Sequence, residues 1–302
     1  MQTVSYRNQI GLNLVAHVYF PAGFDENKTY PAIIVGHPAG GVKEQTAGLY
    51  AKRMAEHGYI TLAFDASYQG ESEGLPRHLE DPDSRVEDFR TTVDYLTTLP
   101  YVDKERIGII GICASGGYAF KATATDRRVK ALATISGADI GLTFRRGWTG
   151  DQDVKQNTAA LLDNLAQVRT AQANGGETAL GNWVHDELSD ELPQEFKDGH
   201  LYYRTPRAGH PRSTNRFPLT SFDRILGFSS FNLTDLIVQP VLFVAGSEAL
   251  TRWESIETFE ALPTEHKELC LIEGANHFAM YDEEPYVSQA VARMKAFFDK
   301  NI

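Results

Sequence analysis

The segment GIIGICASGGYAF, residues 108–120, contains two candidate nucleophiles two positions apart. Cys113 has Gly111 two residues before it and Ser115 two residues after it. Ser115 is flanked at the same spacing by Cys113 and Gly117. Small residues at these distances are typical of a sharp strand-to-helix turn, because the backbone passes close to itself there. The helix N-terminus at such a turn favours either a thiolate or an alkoxide. Because both side chains have the required small neighbours, the spacing leaves Cys113 and Ser115 as candidates.

Three polar residues follow apolar runs elsewhere in the chain, at positions where a strand would end. Asp139 follows VKALATISG, Glu248 follows QPVLFVAG, and His277 follows KELCLIEG. Histidine has a pKa suited to taking a proton from a thiol and returning it to a leaving group. A carboxylate beside the imidazole would orient it and stabilise its protonated form. A surface-loop role is the alternative for His277.

Apolar runs alternate with helical patterns over most of the sequence. This alternation predicts an α/β fold with a mostly parallel sheet and helices on both faces. Ligands of such sheets bind at the carboxyl ends of the strands, where the candidate residues above are found. The predicted strands lie within 11–21, 30–37, 59–65, 106–112, 129–137, 239–246 and 267–274, and the predicted helices within 46–58, 84–100, 283–298 and from about Ala114.

The alternation stops in the middle of the chain. Residues 140–235 are polar and rich in arginine and aromatic residues, with no run typical of a buried strand. We therefore predict an α/β core formed by residues 1–139 and 236–302, with a helical lid inserted at 140–235. A capping box of Ser84 and Glu87 predicts the start of the helix that ends near Pro100.

The order of these motifs resembles the α/β-hydrolase superfamily. The resemblance rests on the HPAGG loop at 37–41, the FDASYQGESEG loop at 64–74, the turn around Cys113, and the late acid and histidine. It is closest to dienelactone-hydrolase-like and polyketide-transferase-like proteins, which have a cysteine at the nucleophile turn. The resemblance implies an α/β-hydrolase fold with a nucleophile–acid–histidine triad.

The resemblance also implies roles for individual residues. The family pattern Arg-Ile-Gly-x-x-Gly-x-Nuc, read from Arg106, places Cys113 at the nucleophile. Gly116 falls one residue later than the family's usual glycine, and Ser115 fills that small site. Ser115 remains the alternative nucleophile, and a structural role for the thiol is the non-catalytic alternative. His277 occupies the position of the family's histidine.

The triad acid is less clearly marked. The family's usual acid position, three residues past the glycine of VLFVAG, is Ala249 in this chain. Glu248, one residue earlier, is the nearest acid and has a longer side chain. Asp139 is the second choice, because some members of the superfamily take the acid from the loop after the preceding strand.

Two backbone N–H groups should stabilise the oxyanion. Ala114 follows the predicted nucleophile, and Ala39 lies in the HPAGG loop, where Pro38 has no N–H to donate. These two amides are the predicted oxyanion hole.

The lid contains a segment, residues 200–218, with a high density of aromatic and cationic side chains. Tyr203, Arg204 and His210 are candidates for binding substrate, with an arginine pairing a substrate carboxylate. The alternative is a solvated lid surface with one or two tyrosines in the core.

Composition limits the classes of partner. The net charge of −11 argues against nucleic acid or an anionic membrane as a partner. The two cysteines, Cys113 and Cys270, form no disulfide framework, and no signal peptide or membrane span is evident. A cytoplasmic protein without cofactor or metal, acting on a small-molecule acyl substrate, is the resulting expectation. Exposed apolar residues on the lid would permit a homodimer.

These observations predict an acyl hydrolase or acyltransferase for an activated ester, lactone or thioester. A thiolate is expelled more easily than an alkoxide, so a cysteine nucleophile suits substrates with good leaving groups. The alternatives are a non-catalytic protein of the same fold that binds a small ligand, and an esterase that uses Ser115. Dehalogenases and peptidases are less consistent with the sequence, which has neither an aspartate at the turn nor an N-terminal propeller.

Overall fold

A computed structural model describes residues 1–302 and contains a central sheet of eight strands. The order is β1-β2-β4-β3-β5-β6-β9-β10, and all neighbours from β4 to β10 are parallel. β2 pairs antiparallel with both β1 and β4. The strands are β1 Gln2–Arg7, β2 Asn13–Tyr19, β3 Tyr30–Gly36, β4 Ile60–Phe64, β5 Val102–Ile112, β6 Val129–Ile135, β7 Leu180–Asn182, β8 Arg216–Pro218, β9 Val241–Gly246 and β10 Lys267–Ile272.

Helices cover both faces of this sheet because the central strands are apolar on both sides. Along β3, Ile34 packs in one core cluster while Ile33 and Val35 pack in the other. The helices are α1 Thr46–Ala55, α2 Pro82–Thr98, α3 Ala114–Thr125, α4 Ile140–Arg146, α5 Val154–Ala173, α6 Gln194–Arg204, α7 Ser221–Ile225, α8 Arg252–Ala261, α9 Ala279–Asp282 and α10 Tyr286–Asn301, with a 3₁₀ helix at Phe231–Leu236.

The predicted α/β-hydrolase fold is confirmed by this architecture. Helices α2 and α3 pack on one face, where Phe89 and Phe120 are buried. Helices α1 and α10 pack on the other, where Tyr50 and Met294 are buried. The carboxyl ends of β3, β5, β6 and β9 therefore meet at one edge of the sheet, as the sequence requires for a common site.

Two local features differ from the sequence predictions. Strand β1 was not predicted, because it lies at the exposed sheet edge and has only two alternating apolar residues, Val4 and Tyr6. Helix α2 begins earlier than the Ser84 capping box indicated. Asp81 caps it by accepting from the backbone N–H groups of Asp83 and Ser84, and Pro82 occupies the first helical position, where a missing N–H has no cost.

The segment between β6 and β9 leaves the sheet and covers its carboxyl edge. It holds helices α4 to α7 and the small antiparallel pair of β7 with β8. Most of its length corresponds to residues 140–235, the predicted lid, and it is called the cap below. Helix α5 is largely exposed, whereas α6 buries Tyr202 and Tyr203 against the core.

Candidate active site

Cys113 lies at the sharp turn between β5 and α3. Its backbone has φ of 54° and ψ of −126°, a conformation that L-residues rarely adopt. A Cβ atom on Gly111 would lie 2.3 Å from the carbonyl oxygen of Ser115, and one on Gly116 would lie 2.5 Å from the Cα of Gly137. The two glycines are thus required by a turn whose strained residue is Cys113.

The Cys113 thiol borders a cavity and contacts three polar groups. The backbone N–H groups of Ala114 and Ala39 and the hydroxyl of Tyr281 reach the sulfur. Burial is the larger influence and raises the pKa of the thiol to about 11, although these three contacts lower it in part. Burial of the site therefore opposes the effect of the helix N-terminus, which favours the thiolate.

His277 is buried beside the same cavity, between two hydroxyl groups. Its Nε2 lies 3.0 Å from the Tyr281 hydroxyl, and its Nδ1 lies 2.7 Å from the Thr251 hydroxyl. Burial lowers the pKa of His277 to about 3, so the imidazole is neutral at physiological pH. Nε2 of the ring therefore faces the Tyr281 hydroxyl at the cavity, and Nδ1 is held by the neutral Thr251 hydroxyl.

Neither predicted acid contacts the imidazole of His277. Glu248 is exposed on the loop after β9, and Ala249 fills the buried position beside it. The carboxylate of Asp139 is buried, but it accepts from the backbone N–H groups of Leu142 and Ser230, at 3.0 and 2.6 Å. Asp139 thus caps α4 and ties the cap to it, and Glu248 faces solvent.

Ser115, the alternative nucleophile, lies on the opposite side of the turn. Its hydroxyl donates to the carbonyl oxygen of His37 at 2.6 Å, and the Arg85 guanidinium donates to it at 3.2 Å. Only 1 % of Ser115 is exposed, and it does not line the cavity that Cys113 borders. Its contacts hold the loop after β3 against the start of α3.

The cavity has a volume of about 500 Å³ and lies between the core and the cap. Cys113 and His277 are on its wall, as are the predicted oxyanion-hole residues Ala39 and Ala114. Exposed polar residues of the cap, Asn182 among them, lie at its edge. Aromatic side chains form much of the remaining surface: Phe144, Trp148, Trp183, Phe196, Tyr203, Phe217, Phe222, Phe278 and Tyr281.

The three predicted substrate-binding residues of the lid are in different environments. Tyr203 is buried and lines the cavity. Arg204 does not line it, because its guanidinium pairs with Asp186 at 2.7 Å. His210 also lies outside the cavity, where its Nδ1 accepts from the backbone N–H of Arg212. The interpretation of Arg204 and His210 as substrate ligands is corrected by these contacts.

Other arginines of the same segment join the cap to the core. Arg207 donates through Nε to a carboxylate oxygen of Asp282 at 2.9 Å. Arg212 pairs with Glu44. The cationic density noted in the sequence therefore fixes the cap in position, and no arginine remains free in the cavity to hold an anionic substrate.

One group of side chains has the atom types of a metal site. Single ligand atoms of His17, Glu44 and Glu71 lie within 4.8 Å of one another. Lys43 lies among them, with its Nζ 2.9 Å from Glu44 and 2.5 Å from Glu71, and Arg212 contacts both carboxylates. Lys43 also pairs with Asp65 at 2.7 Å, so Lys43 and Arg212 join three carboxylates in an ion-pair network between core and cap.

Three functional contacts were missed by the sequence interpretation. Tyr281 follows His277 by four residues, a helical spacing that brings side chains together and could have indicated the pair. Thr251 carried no signal, because its contact with His277 depends on how two loops meet. Glu195, on α6, is also unmarked: it accepts from the backbone N–H groups of Leu250 and His277, and burial raises its pKa to about 7.

Most of the chain matches the sequence model of one known protein family. The family model described as X-Pro dipeptidyl-peptidase (S15 family) matches residues 11–279. The chain belongs to the S15 family. The matched range includes the turn at Cys113, the cap and His277, so the candidate site lies within the part shared with this family.

Two similar proteins match along nearly the whole chain. The chain is 41% identical over 297 residues to the uncharacterized protein YcjY of Escherichia coli (strain K12), covering 98% of this chain and 96% of that protein. It is similar to the crystal structure of the hypothetical protein PA2218 from Pseudomonas aeruginosa, with a TM-score of 0.92, 37% identity, and coverage of 100% and 93% of the two chains.

A more distant relative has a named activity. The thiohydrolase aneE of Aspergillus aculeatus is 28% identical over 264 residues, covering 83% of this chain and 79% of that protein. These likenesses support an α/β-hydrolase enzyme. No helix in the structure is long and apolar enough to cross a membrane.

Proposed function

We propose that the protein is an acyl hydrolase or acyltransferase in which the Cys113 thiol is the nucleophile. The observation that carries the proposal is the position of this thiol, at a strained turn, on the cavity wall, and beside the N–H groups of Ala39 and Ala114. His277 is on the same wall, and Tyr281 contacts both side chains.

The proposed reaction begins with attack of the Cys113 sulfur on the acyl carbon of the substrate. The thiol proton passes to Nε2 of His277, and the carbonyl oxygen becomes an oxyanion held by the amides of Ala39 and Ala114. Collapse of this adduct forms the acyl-cysteine and expels the leaving group, which takes the proton from His277. Water or an alcohol then attacks the thioester and releases the acyl group and the free thiol.

The geometry favours substrates with an apolar acyl group and a good leaving group. Nine phenylalanine, tryptophan and tyrosine side chains line the cavity, and no arginine lines it. The resting pair is a neutral thiol and a neutral imidazole, so substrates that need little activation suit it best. Thioesters, lactones and activated esters meet both conditions, and the likeness to a protein named a thiohydrolase supports the thioester class.

A peptidase is the second candidate, because the matching family model is named for an X-Pro dipeptidyl-peptidase. A dipeptidyl-peptidase substrate carries a protonated amine close to the scissile bond, which a carboxylate would bind. Asp186 is the only carboxylate on the cavity wall, and Arg204 and Arg216 already pair with it. This pairing favours the ester and thioester candidates over the peptidase.

The experiment compares three substrates: an S-phenyl thioester and the phenyl ester of the same straight-chain acyl group, and Ala-Pro-p-nitroanilide. We expect the thioester to be hydrolysed fastest and the anilide not to be cleaved. Cys113→Ala should reduce thioester hydrolysis by at least about 1,000-fold. Ser115→Ala is the matched control and should retain turnover within about threefold, since Ser115 does not face the cavity.

Each other outcome identifies a different function. Cleavage of the anilide in preference to the thioester would establish the peptidase. Full activity of Cys113→Ala with loss in Ser115→Ala would establish an esterase that uses Ser115. Tight binding of a non-hydrolysable thioether analogue with no turnover of any substrate would establish a ligand-binding protein.

A further inference from the structure

The hydroxyl of Tyr281 lies between the proposed nucleophile and the proposed base. It is 3.0 Å from Nε2 of His277, and it contacts the sulfur of Cys113. Tyr281 is 1% exposed, and its side chain lines the cavity. The thiol and the imidazole thus share one hydroxyl group, and no direct hydrogen bond joins them.

We propose that Tyr281 is a catalytic residue that carries the proton between Cys113 and His277. The proposal rests on the proposed function, because it assumes that the Cys113 sulfur attacks the substrate. A phenol is suited to this role, since its oxygen accepts one hydrogen bond while its O–H donates another.

The proton transfer balances without any further reactant. As the sulfur attacks, its proton moves to the Tyr281 oxygen, and the Tyr281 hydroxyl proton moves to Nε2 of His277. Tyr281 is a neutral phenol before and after the step, and His277 gains one positive charge that matches the oxyanion. The reverse transfer delivers a proton through Tyr281 to the departing thiolate or alkoxide.

The contacts of His277 fit this direction of transfer. Its Nδ1 lies 2.7 Å from the Thr251 hydroxyl, and an Nδ1–H donated to Thr251 leaves Nε2 as the acceptor that faces Tyr281. No carboxylate contacts the ring to stabilise a resting ion pair. The proton therefore moves during attack, which makes the hydroxyl between the two groups necessary.

The rest of the protein fixes Tyr281 in this place. Its carbonyl oxygen accepts from the Thr46 hydroxyl at 3.0 Å, and the carbonyl oxygen of the preceding Met280 accepts from the Tyr50 hydroxyl at 2.6 Å. The Tyr202 ring packs edge-on against the Tyr281 ring at 5.1 Å. Helix α9 is thus anchored from α1, which limits movement of the phenol away from the sulfur.

The test is the pH dependence of Cys113 alkylation by iodoacetamide, followed by mass spectrometry. If Tyr281 passes the proton to a neutral base, the wild-type rate should be nearly constant from about pH 5 to about pH 8. In Tyr281→Phe only spontaneously ionised thiol reacts, so the alkylation rate should increase about tenfold for each pH unit. At pH 7 the rate of this variant should be at least about tenfold lower than that of wild type.

The control is Tyr50→Phe, which removes a buried hydroxyl that holds the same helix but contacts neither reacting group. It should keep the flat wild-type profile. His277→Ala is the second variant and should give the same slope as Tyr281→Phe, because it removes the far end of the relay. A slope in Tyr50→Phe equal to that of Tyr281→Phe would overturn the proposal, since displacement of α9 would then explain both.

Failure of the relay and failure of the proposed function give different results. If an S-phenyl thioester acylates Cys113 in the wild type and Tyr281→Phe keeps the wild-type profile and acylation rate, the relay is wrong and the proposed function stands. If the thioester leaves Cys113 unmodified in the wild type, both are wrong. Loss of acylation together with the steep profile in Tyr281→Phe supports both.

Discussion

Two pairs of a nucleophilic residue and a histidine flank the start of α3, and they differ in their access to the cavity. Cys113 and His277 form the front pair, both on the cavity wall. Ser115 and His37 form the rear pair, both fully buried in the core. The residue types are similar, so residue type alone does not distinguish a reactive pair from a structural one.

The rear pair is held in a dense set of hydrogen bonds. The Ser115 hydroxyl donates to the His37 carbonyl, and Nε2 of His37 accepts from the backbone N–H of Ala66 at 3.1 Å. Arg85 donates to the same carbonyl oxygen at 2.6 Å and pairs with Glu80. Burial and the Arg85 charge lower the pKa of His37 well below its usual range, so this histidine is neutral as well.

The front pair has fewer partners and an open side. The hydrogen-bond partners of the His277 imidazole are two hydroxyl groups, and Cys113 keeps its sulfur on the cavity wall. Both histidines are neutral, so charge does not separate the pairs either. The difference is that a substrate can reach one pair and a completed hydrogen-bond network occupies the other.

Removal of the front histidine should have the largest effect. His277→Ala should lower turnover of a thioester by about 100-fold to 10,000-fold, the range for loss of a general base. The pKa of His277 is lowered to about 3, so the base is lost only when pH falls through that value, and kcat/KM should show no histidine limb near neutral pH. A limb near pH 6.5 in a pH–rate profile would contradict the account.

Loss of the hydroxyl behind His277 should have a smaller effect. Thr251→Val removes the partner of Nδ1 and leaves the ring free to adopt the tautomer with a proton on Nε2. We expect about a tenfold lower kcat with little change in the concentration of substrate at half-saturation, consistent with the loss of about one hydrogen bond. Steady-state kinetics check this, and Thr251→Ser, which keeps the hydroxyl, should restore the rate.

The rear pair should respond in stability and not in turnover. Ser115→Ala leaves the His37 carbonyl without one donor and should lower the free energy of unfolding by about 1–3 kcal/mol. Urea unfolding measures the change, and thioester turnover should stay within about threefold of wild type. A large loss of turnover with unchanged stability would reverse the roles of the two pairs.

The smallest expected effect is a change in stability on substitution of Glu195, a cap residue that accepts from the backbone N–H of His277. Burial raises the pKa of Glu195 to about 7, so the folded state holds its proton where the unfolded chain has lost it. Its contribution to stability is full below the unfolded pKa and is lost as pH rises through about 7. The Tm of Glu195→Gln minus the Tm of wild type should therefore increase by about 3 °C from pH 5 to pH 8. Thermal unfolding at both pH values checks this, and an equal Tm difference at the two would contradict it.

The local parts of the structure were well predicted from the sequence. Strand β3 and the second half of β5 are short apolar runs, and the turn at Cys113 is framed by Gly111 within the same segment. Both are properties of neighbouring residues, so single-sequence patterns contain them. Strand β1 was missed because it is stabilised by pairing with β2 at an exposed edge, which leaves only two alternating apolar residues.

The parts that depend on distant contacts were not predictable in this way. The Thr251 hydroxyl meets His277 across 26 residues of sequence, and Glu195 reaches the Leu250 amide across 55. Glu248 was chosen by its distance along the chain, but the side chain after β9 turns to solvent while Ala249 is buried. Arg204 looked available for substrate because its partner, Asp186, lies on another part of the cap.

The central claim is that Cys113 in the front pair carries the acyl group, and mapping the acyl-enzyme tests it most directly. The protein is mixed with an S-phenyl thioester, quenched in acid, digested, and sequenced by mass spectrometry with and without neutral hydroxylamine, which cleaves thioesters but leaves ordinary esters intact. We expect a hydroxylamine-sensitive acyl group on Cys113, retained in Ser115→Ala and absent in Cys113→Ala. A hydroxylamine-resistant acyl group on Ser115 would contradict it.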